Sequence, residues 1–227
     1  MDATDRQVRT VAFPPGKALD LELTIGTARI EGWERDQAEV AVERHAPNAS
    51  RLDRLPLVID DTSSRLIVRA VQPDKANDTD LRADVSIRLP RAALVERAQI
   101  VEGRLSIANF SGSITAAVRR GPIDGKDLAG TIRLSSEIGS VTLSNARLVD
   151  GGVLRLRTFN GDVRVTLSER PASARIMALA LNGNVKSDIP LTRRDQWGPR
   201  WAETTIGSGS AVMSLDVVTG TIEIKAP

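Results

Sequence analysis

Apolar and polar residues alternate with a period of two through much of the chain. Leu19, Leu21, Leu23 and Ile25 share one face while Asp20, Glu22 and Thr24 share the other, the pattern of a half-buried strand. The same alternation predicts strands over 37–45, 55–60, 65–71 and 81–89, separated by Pro47-Asn48, by Thr62-Ser63-Ser64 and by the polar stretch 73–80. Residues 92–98 carry the main helical signal, and Pro90 before them limits it to a turn or two.

From Gly103 the pattern changes. Glycines recur at 103, 112, 121, 130 and 139, a constant interval of nine, and a branched apolar residue usually stands two positions after each: Leu105, Ile114, Ile123, Ile132 and Val141. Alternate glycines form two series, 103, 121, 139, 161, 183 and 112, 130, 152 with Ala174 in the fourth place. Both series lengthen from 18 to 22 residues together. A coil of two strands and two corners behaves this way, with glycine turning the corners and the residues at plus two and plus four pointing inward.

The inward positions form two stacks. One is Leu105/Ile107, Ile123, Val141/Leu143, Val163/Val165 and Val185; the other is Ile114/Ala116, Ile132/Leu134, Leu154/Leu156 and Ile176/Ala178. The fold expected from this repeat is all-β: a parallel β-solenoid of 18–22-residue coils over 101–227, preceded by a β-rich section over 1–100 that continues or caps it. Within one column, Gly103, Gly121, Gly139, Gly161 and Gly183 would follow one another. The alternative is an antiparallel sandwich, because Asn160-Gly161 and Asn182-Gly183 are strong hairpin signals.

The repeat, the preceding Val85-Ser-Ile-Arg-Leu-Pro90, the opening Ile25-Gly-Thr-Ala-Arg-Ile-Glu-Gly-Trp33 and the closing Thr219-Gly-Thr-Ile-Glu-Ile224 together resemble a bacterial family of β-strand-repeat proteins that carries the name "putative adhesin". The resemblance covers most of the chain. It implies a β-solenoid, an extracytoplasmic location in the periplasm or at the cell surface, and no established catalytic residues or cofactors. Met1 to Gly26 lacks the basic start and apolar centre of a signal peptide.

Composition removes several classes of chemistry. With no Cys in 227 residues, thiol nucleophiles, thiolate metal sites and disulfides are excluded. The formal charge is only +2, and 3 Phe with 3 Trp supply no stacking platform, so nothing points to nucleic acid. No apolar run is long enough to form a membrane helix.

Few constellations carry chemistry. His45, the single histidine, ends a strand beside Pro47 with no nucleophile motif nearby, and reads as a surface turn residue. Asp74, Asn77, Asp78, Asp80 and Asp84 have oxygen-ligand character but lack the glycine and terminal Glu of a calcium loop, so a solvated loop is expected. Outward positions on one face are Ser106, Asp124, Thr142, Arg164 and Lys186, and on the other Thr115, Arg133, Arg155 and Met177. None is aromatic. Arg133, Arg155 and Arg157 form a basic strip that reads first as solubilising surface.

The segment 193–201 interrupts the repeat with Arg194, Trp197, Arg200 and Trp201, residue types that dominate interaction hot spots. These four are the candidate partner-binding residues, for an envelope protein or glycan; the reading set slightly ahead of that is that both indoles cap the end of the solenoid. No catalytic, cofactor or metal site is expected. The function expected is a non-catalytic structural or binding module of the bacterial envelope, the alternative being a polysaccharide-active enzyme with paired carboxylates on an outer face.

Overall fold

The structure, a computed structural model, describes residues 3–73, 78–193 and 200–227. The strands β1 (Ala3–Ala12), β2 (Ala18–Trp33) and β3 (Gln37–Ala46) precede one helical turn, α1 (Ala49–Leu52). Next come β4 (Leu57–Asp61), β5 (Arg65–Ala70), β6 (Arg82–Pro90) and the long β7 (Leu94–Phe110). The repeat continues as β8 (Ser113–Arg120), β9 (Ile123–Leu128), β10 (Thr131–Ile138), β11 (Val141–Ala146), β12 (Val153–Asn160) and β13 (Val163–Leu167). Last are β14 (Ala174–Ser187), β15 (Thr192–Arg193), β16 (Arg200–Ile206) and β17 (Ala211–Lys225).

The helical turn expected at 92–98 is instead the start of β7. Leu94 and Val95 pair with Ala18 and Leu19 on one side and with Ser113 and Ile114 on the other. Two ladders of hydrogen bonds override the local preference.

Strands of the repeat fall into two parallel sets, β8, β10, β12 and β9, β11, β13. Two long strands join the sets. The first half of β7 pairs with β8 and its second half with β9, while β17 pairs first with β12 and then with β13. The ladder therefore runs β7-β8-β10-β12-β17-β13-β11-β9 and back to β7. It is an eight-stranded parallel barrel with further strands outside it, and the solenoid expected from the repeat is overturned. A solenoid adds coils in chain order and stays open at its growing end. Here the last strand returns to close the ladder against β12 and β13, and β14 lies beyond it.

The bends require glycine. Gly103 in β7 and Gly220 in β17 have φ of 147° and 143°, a region that side chains rarely adopt. A Cβ on Gly103 would stand 1.6 Å from the carbonyl oxygen of Gly26, and one on Gly183 would stand 1.7 Å from that of Gly220. The column thus passes from Gly161 to Gly220 and only then to Gly183, not directly from Gly161 to Gly183. The sandwich alternative fails too, since Leu154 pairs in parallel with both Ile132 and Met213.

Both inward sets read from the repeat are buried, from Leu105 at 0% to Val185 at 8% exposure. Leu19, Leu21 and Leu23 of β2 extend the same core beyond β7, with β5 and β6 parallel to β2 on its far side. On the N-terminal side β3 runs antiparallel to β6, β1 to β3 and β4 to β5.

Candidate functional site

The candidate site is a groove on the outer side of β7, β8, β10 and β12. Because Ile114, Ala116, Val118 and their counterparts face the core, alternate residues face outward. Small side chains, Ala117 and Ser135, form its floor. One side carries Val101, Arg119, Glu137 and Phe159; the other carries Thr115, Arg133, Arg155 and Arg157 beside Arg97. Phe159 is 59% exposed and Ile138 beside it 53%.

Parallel register decides which charges meet. Arg119 stands 3.4 Å from Glu137, Arg104 2.6 Å from Asp124 and Arg120 3.2 Å from Glu102, each pair joining neighbouring strands. Arg133 instead lies directly opposite Arg155, with Thr115 and Ser214 as the next residues in that row. Among the described residues, Arg133, Arg155 and Arg157 have no ion-pair or hydrogen-bond partner. These are the arginines of the strip the sequence singled out, and the fold brings them to one wall of the groove.

The neighbouring Arg97 is neutralised. Its Nε and Nη2 both donate to the buried Asp20 carboxylate at 2.8 Å, and Arg69 approaches the same group at 3.4 Å. Burial opposes ionisation of Asp20, but the Arg97 hydrogen bonds and the charges of Arg97 and Arg69 outweigh it and hold the carboxyl below its ordinary value.

Other residues read from the sequence lie elsewhere. His45 is the penultimate residue of β3, its Nε2 3.3 Å from Asp84 and 3.5 Å from Glu43, and Asp84 also accepts from Thr27 Oγ1 at 2.6 Å. Asp74 and Asn77 lie outside the described residues. Asp78 is bound by Arg51, whose hydrogen bond holds its carboxyl below the ordinary range, and Asp80 stands 3.3 Å from the same guanidinium. Arginines therefore tie these acids apart from Asp84, and among the described residues no metal-binding cluster forms.

Of the tryptophan segment, Arg194 and Trp197 lie outside the described residues and Arg200 begins β16. Trp201 is 41% exposed and lies opposite Leu179, whereas its neighbour Ala202 is buried at 2%. Its indole thus points outward. The row Ser135, Arg157, Asp216, Leu179, Trp201 runs across five strands and places Trp201 on the same outer face as the groove.

The sequence reading missed two features. Phe159 is an aromatic at an outward position, reached by continuing the alternation of β12 from Arg155 past Arg157. The sequence reading also passed over Asn109, Asp127 and Asn145, which recur at the coil interval and turn the other corner with φ of 63°, 53° and 56°. Asn145 donates to the Asp127 carboxylate there.

Known proteins match this chain through its fold. A protein from Clostridium sporogenes described as a "putative cell adhesion protein" superposes with a TM-score of 0.55 over 99% of this chain and 100% of its own, at 14% identity. The chain shares that protein's fold. A "putative adhesin" from Bacteroides fragilis is similar over 97% of each chain, with a TM-score of 0.48 and 12% identity. The resemblance drawn from the repeat agrees at the level of the fold with the Clostridium sporogenes structure. No family model matches the chain, and no curated protein matches it in sequence. Among the described residues, no helix is long and apolar enough to cross a membrane.

Proposed function

We propose that this protein is a non-catalytic binding module of the bacterial envelope, acting outside the cytoplasm through the outer face of β7, β8, β10 and β12. The observation that carries the reading is the unpartnered cluster of Arg133, Arg155 and Arg157, the last of them two residues before the exposed Phe159 on β12, on a barrel whose other outward arginines are largely ion-paired. Trp201 continues the face, and Arg194, Trp197 and Arg200 are assigned to partner contact on residue type alone. The envelope location is carried over from the resemblance and from the described role of the Clostridium sporogenes protein.

Glycoside cleavage needs two carboxylates flanking a bond. Among the described residues lining the groove Glu137 is the one acid, and Arg119 binds it. Binding without turnover is the reading this favours.

Cosedimentation with bacterial envelope preparations tests it. Wild type is expected to pellet with them, and the double variant Phe159→Ala/Trp201→Ala to remain in the supernatant while keeping its fold. Turnover of a polysaccharide, ester or phosphoester that disappears in Glu137→Gln or His45→Ala would overturn the reading.

A further inference from the structure

What the groove would take can be read from its charge pattern, an inference that rests on the binding-module reading. Where outward arginines occur in the repeat, an acid on the neighbouring strand repeatedly answers them, in register for Arg119 and Glu137 and for Arg120 and Glu102, and diagonally for Arg104 and Asp124. In the row of Arg133 and Arg155 the register sets two arginines side by side. Adjacent strands are about 4.8 Å apart and alternate residues along a strand about 6.6 Å. Arg155 thus has Arg133 about 4.8 Å and Arg157 about 6.6 Å away, each within a physiological Debye length of about 8 Å, and the acid that the register brings to this cluster is Asp216, opposite Arg157. Like charges opposed across a strand pair are destabilising, so an anionic ligand would relieve a repulsion the free protein carries.

We propose that Arg133, Arg155 and Arg157 form a subsite for the acidic groups of a polysaccharide that lies along the groove with a sugar ring against Phe159. Guanidinium forks match carboxylate and sulfate oxygens, the acidic groups such chains carry. The groove crosses four strands, about 14 Å from first to last, which suits an extended chain of several sugars rather than a compact ion. Its floor carries Ala117 and Ser135, and the Arg119–Glu137 pair stands on the same side as Phe159. An acyl tail laid there would strip water from that ion pair without replacing it, so the ion pair favours a hydrated polymer over an amphiphile or a membrane surface.

Titration with polygalacturonate as the probe, with neutral dextran and phosphatidylglycerol vesicles alongside, tests the proposal. Wild type is expected to bind polygalacturonate and neither comparator, with affinity falling as salt rises. Arg155→Gln should weaken binding about tenfold, R133Q/R155Q/R157Q should abolish it, and Phe159→Ala should weaken it while leaving the salt dependence unchanged. Arg104→Gln, on the opposite outer face, should bind as wild type. Because the triple variant removes repulsion, its melting temperature should equal or exceed that of wild type, which separates lost binding from lost fold. Equal affinity for dextran, preference for the vesicles, no binding of polygalacturonate, or binding indifferent to the triple variant would overturn the inference. If envelope preparations still retain the protein in that event, the binding-module reading survives; if they do not, that reading falls as well.

Discussion

Gly220 rests directly on Gly161, so close that a Cβ on Gly220 would fall 1.9 Å from the Gly161 carbonyl oxygen. This contact is where the returning C-terminal strand enters the barrel between β12/β13 and β14. Backbone cannot move aside as the end of a flexible side chain can. Gly220→Ala is therefore expected to destabilise by about 3 kcal/mol or more, combining overlap with an unfavourable φ. Gly16→Ala is the matched control, since its φ is 90° but nothing lies within 4 Å of its missing Cβ. It should cost about 1 kcal/mol, the strain of the backbone alone. Chemical denaturation of the two variants checks this, and equal losses would show that the column is not closely packed.

The inward register predicts a sharp contrast between neighbours. Val163 is wholly buried, and Val163→Asp places an unpaired carboxylate in the core, which should cost several kcal/mol and abolish folding at moderate temperature. Arg164 faces outward, 2.6 Å from Asp162 and 3.8 Å from Glu223. Arg164→Asp gathers three acids at an exposed site, and its cost should stay near 1 kcal/mol and shrink in high salt. Matching melting temperatures for the two variants would refute the register.

Asp20 gives the acid limb of the stability curve a specific source. Its folded pKa lies below the unfolded value, so its contribution is fully present above about pH 4 and is lost as pH falls through the folded value. Asp20→Asn removes that dependence but leaves Arg97 and Arg69 facing a neutral group. At pH 7 the variant should be less stable by about 2–3 kcal/mol. Between about pH 5 and pH 2 its stability should fall less steeply than that of wild type, as measured by denaturant midpoints across that range.

Trp201 stands outward on β16, so the capping role open to it from the sequence would require burial that this position does not have. Removing a side chain that is already 41% exposed should cost about 1 kcal/mol, well short of the 3–5 kcal/mol typical of a buried indole. Loss of envelope binding with little change in melting temperature is expected for Trp201→Ala. A large drop in melting temperature would restore the cap.

Period-two alternation and the glycine interval determined a good deal before any tertiary contact was known. They located β2 to β6, the corners at Gly103, Gly121, Gly139 and Gly161, and the buried sets around Leu105, Ile123, Val163 and Ile132, because burial on one face of a strand and a corner without a Cβ are local requirements that each residue records for itself. The basic strip was visible for the same reason. What the sequence left open is which strands become neighbours. Hydrogen bonds between strands run through backbone groups common to every residue, so no side chain announces that β17 belongs between β12 and β14. That placement, made possible by strands long enough to bend at Gly103 and Gly220 and pair with both halves, turned an expected open coil into a closed barrel. The same pairing decided the candidate site. Arg133 and Arg155 are 22 residues apart in the chain, and only the parallel register that sets them face to face, without an acid between them, converts two ordinary surface arginines into a concentrated charge on the side of the groove away from Phe159.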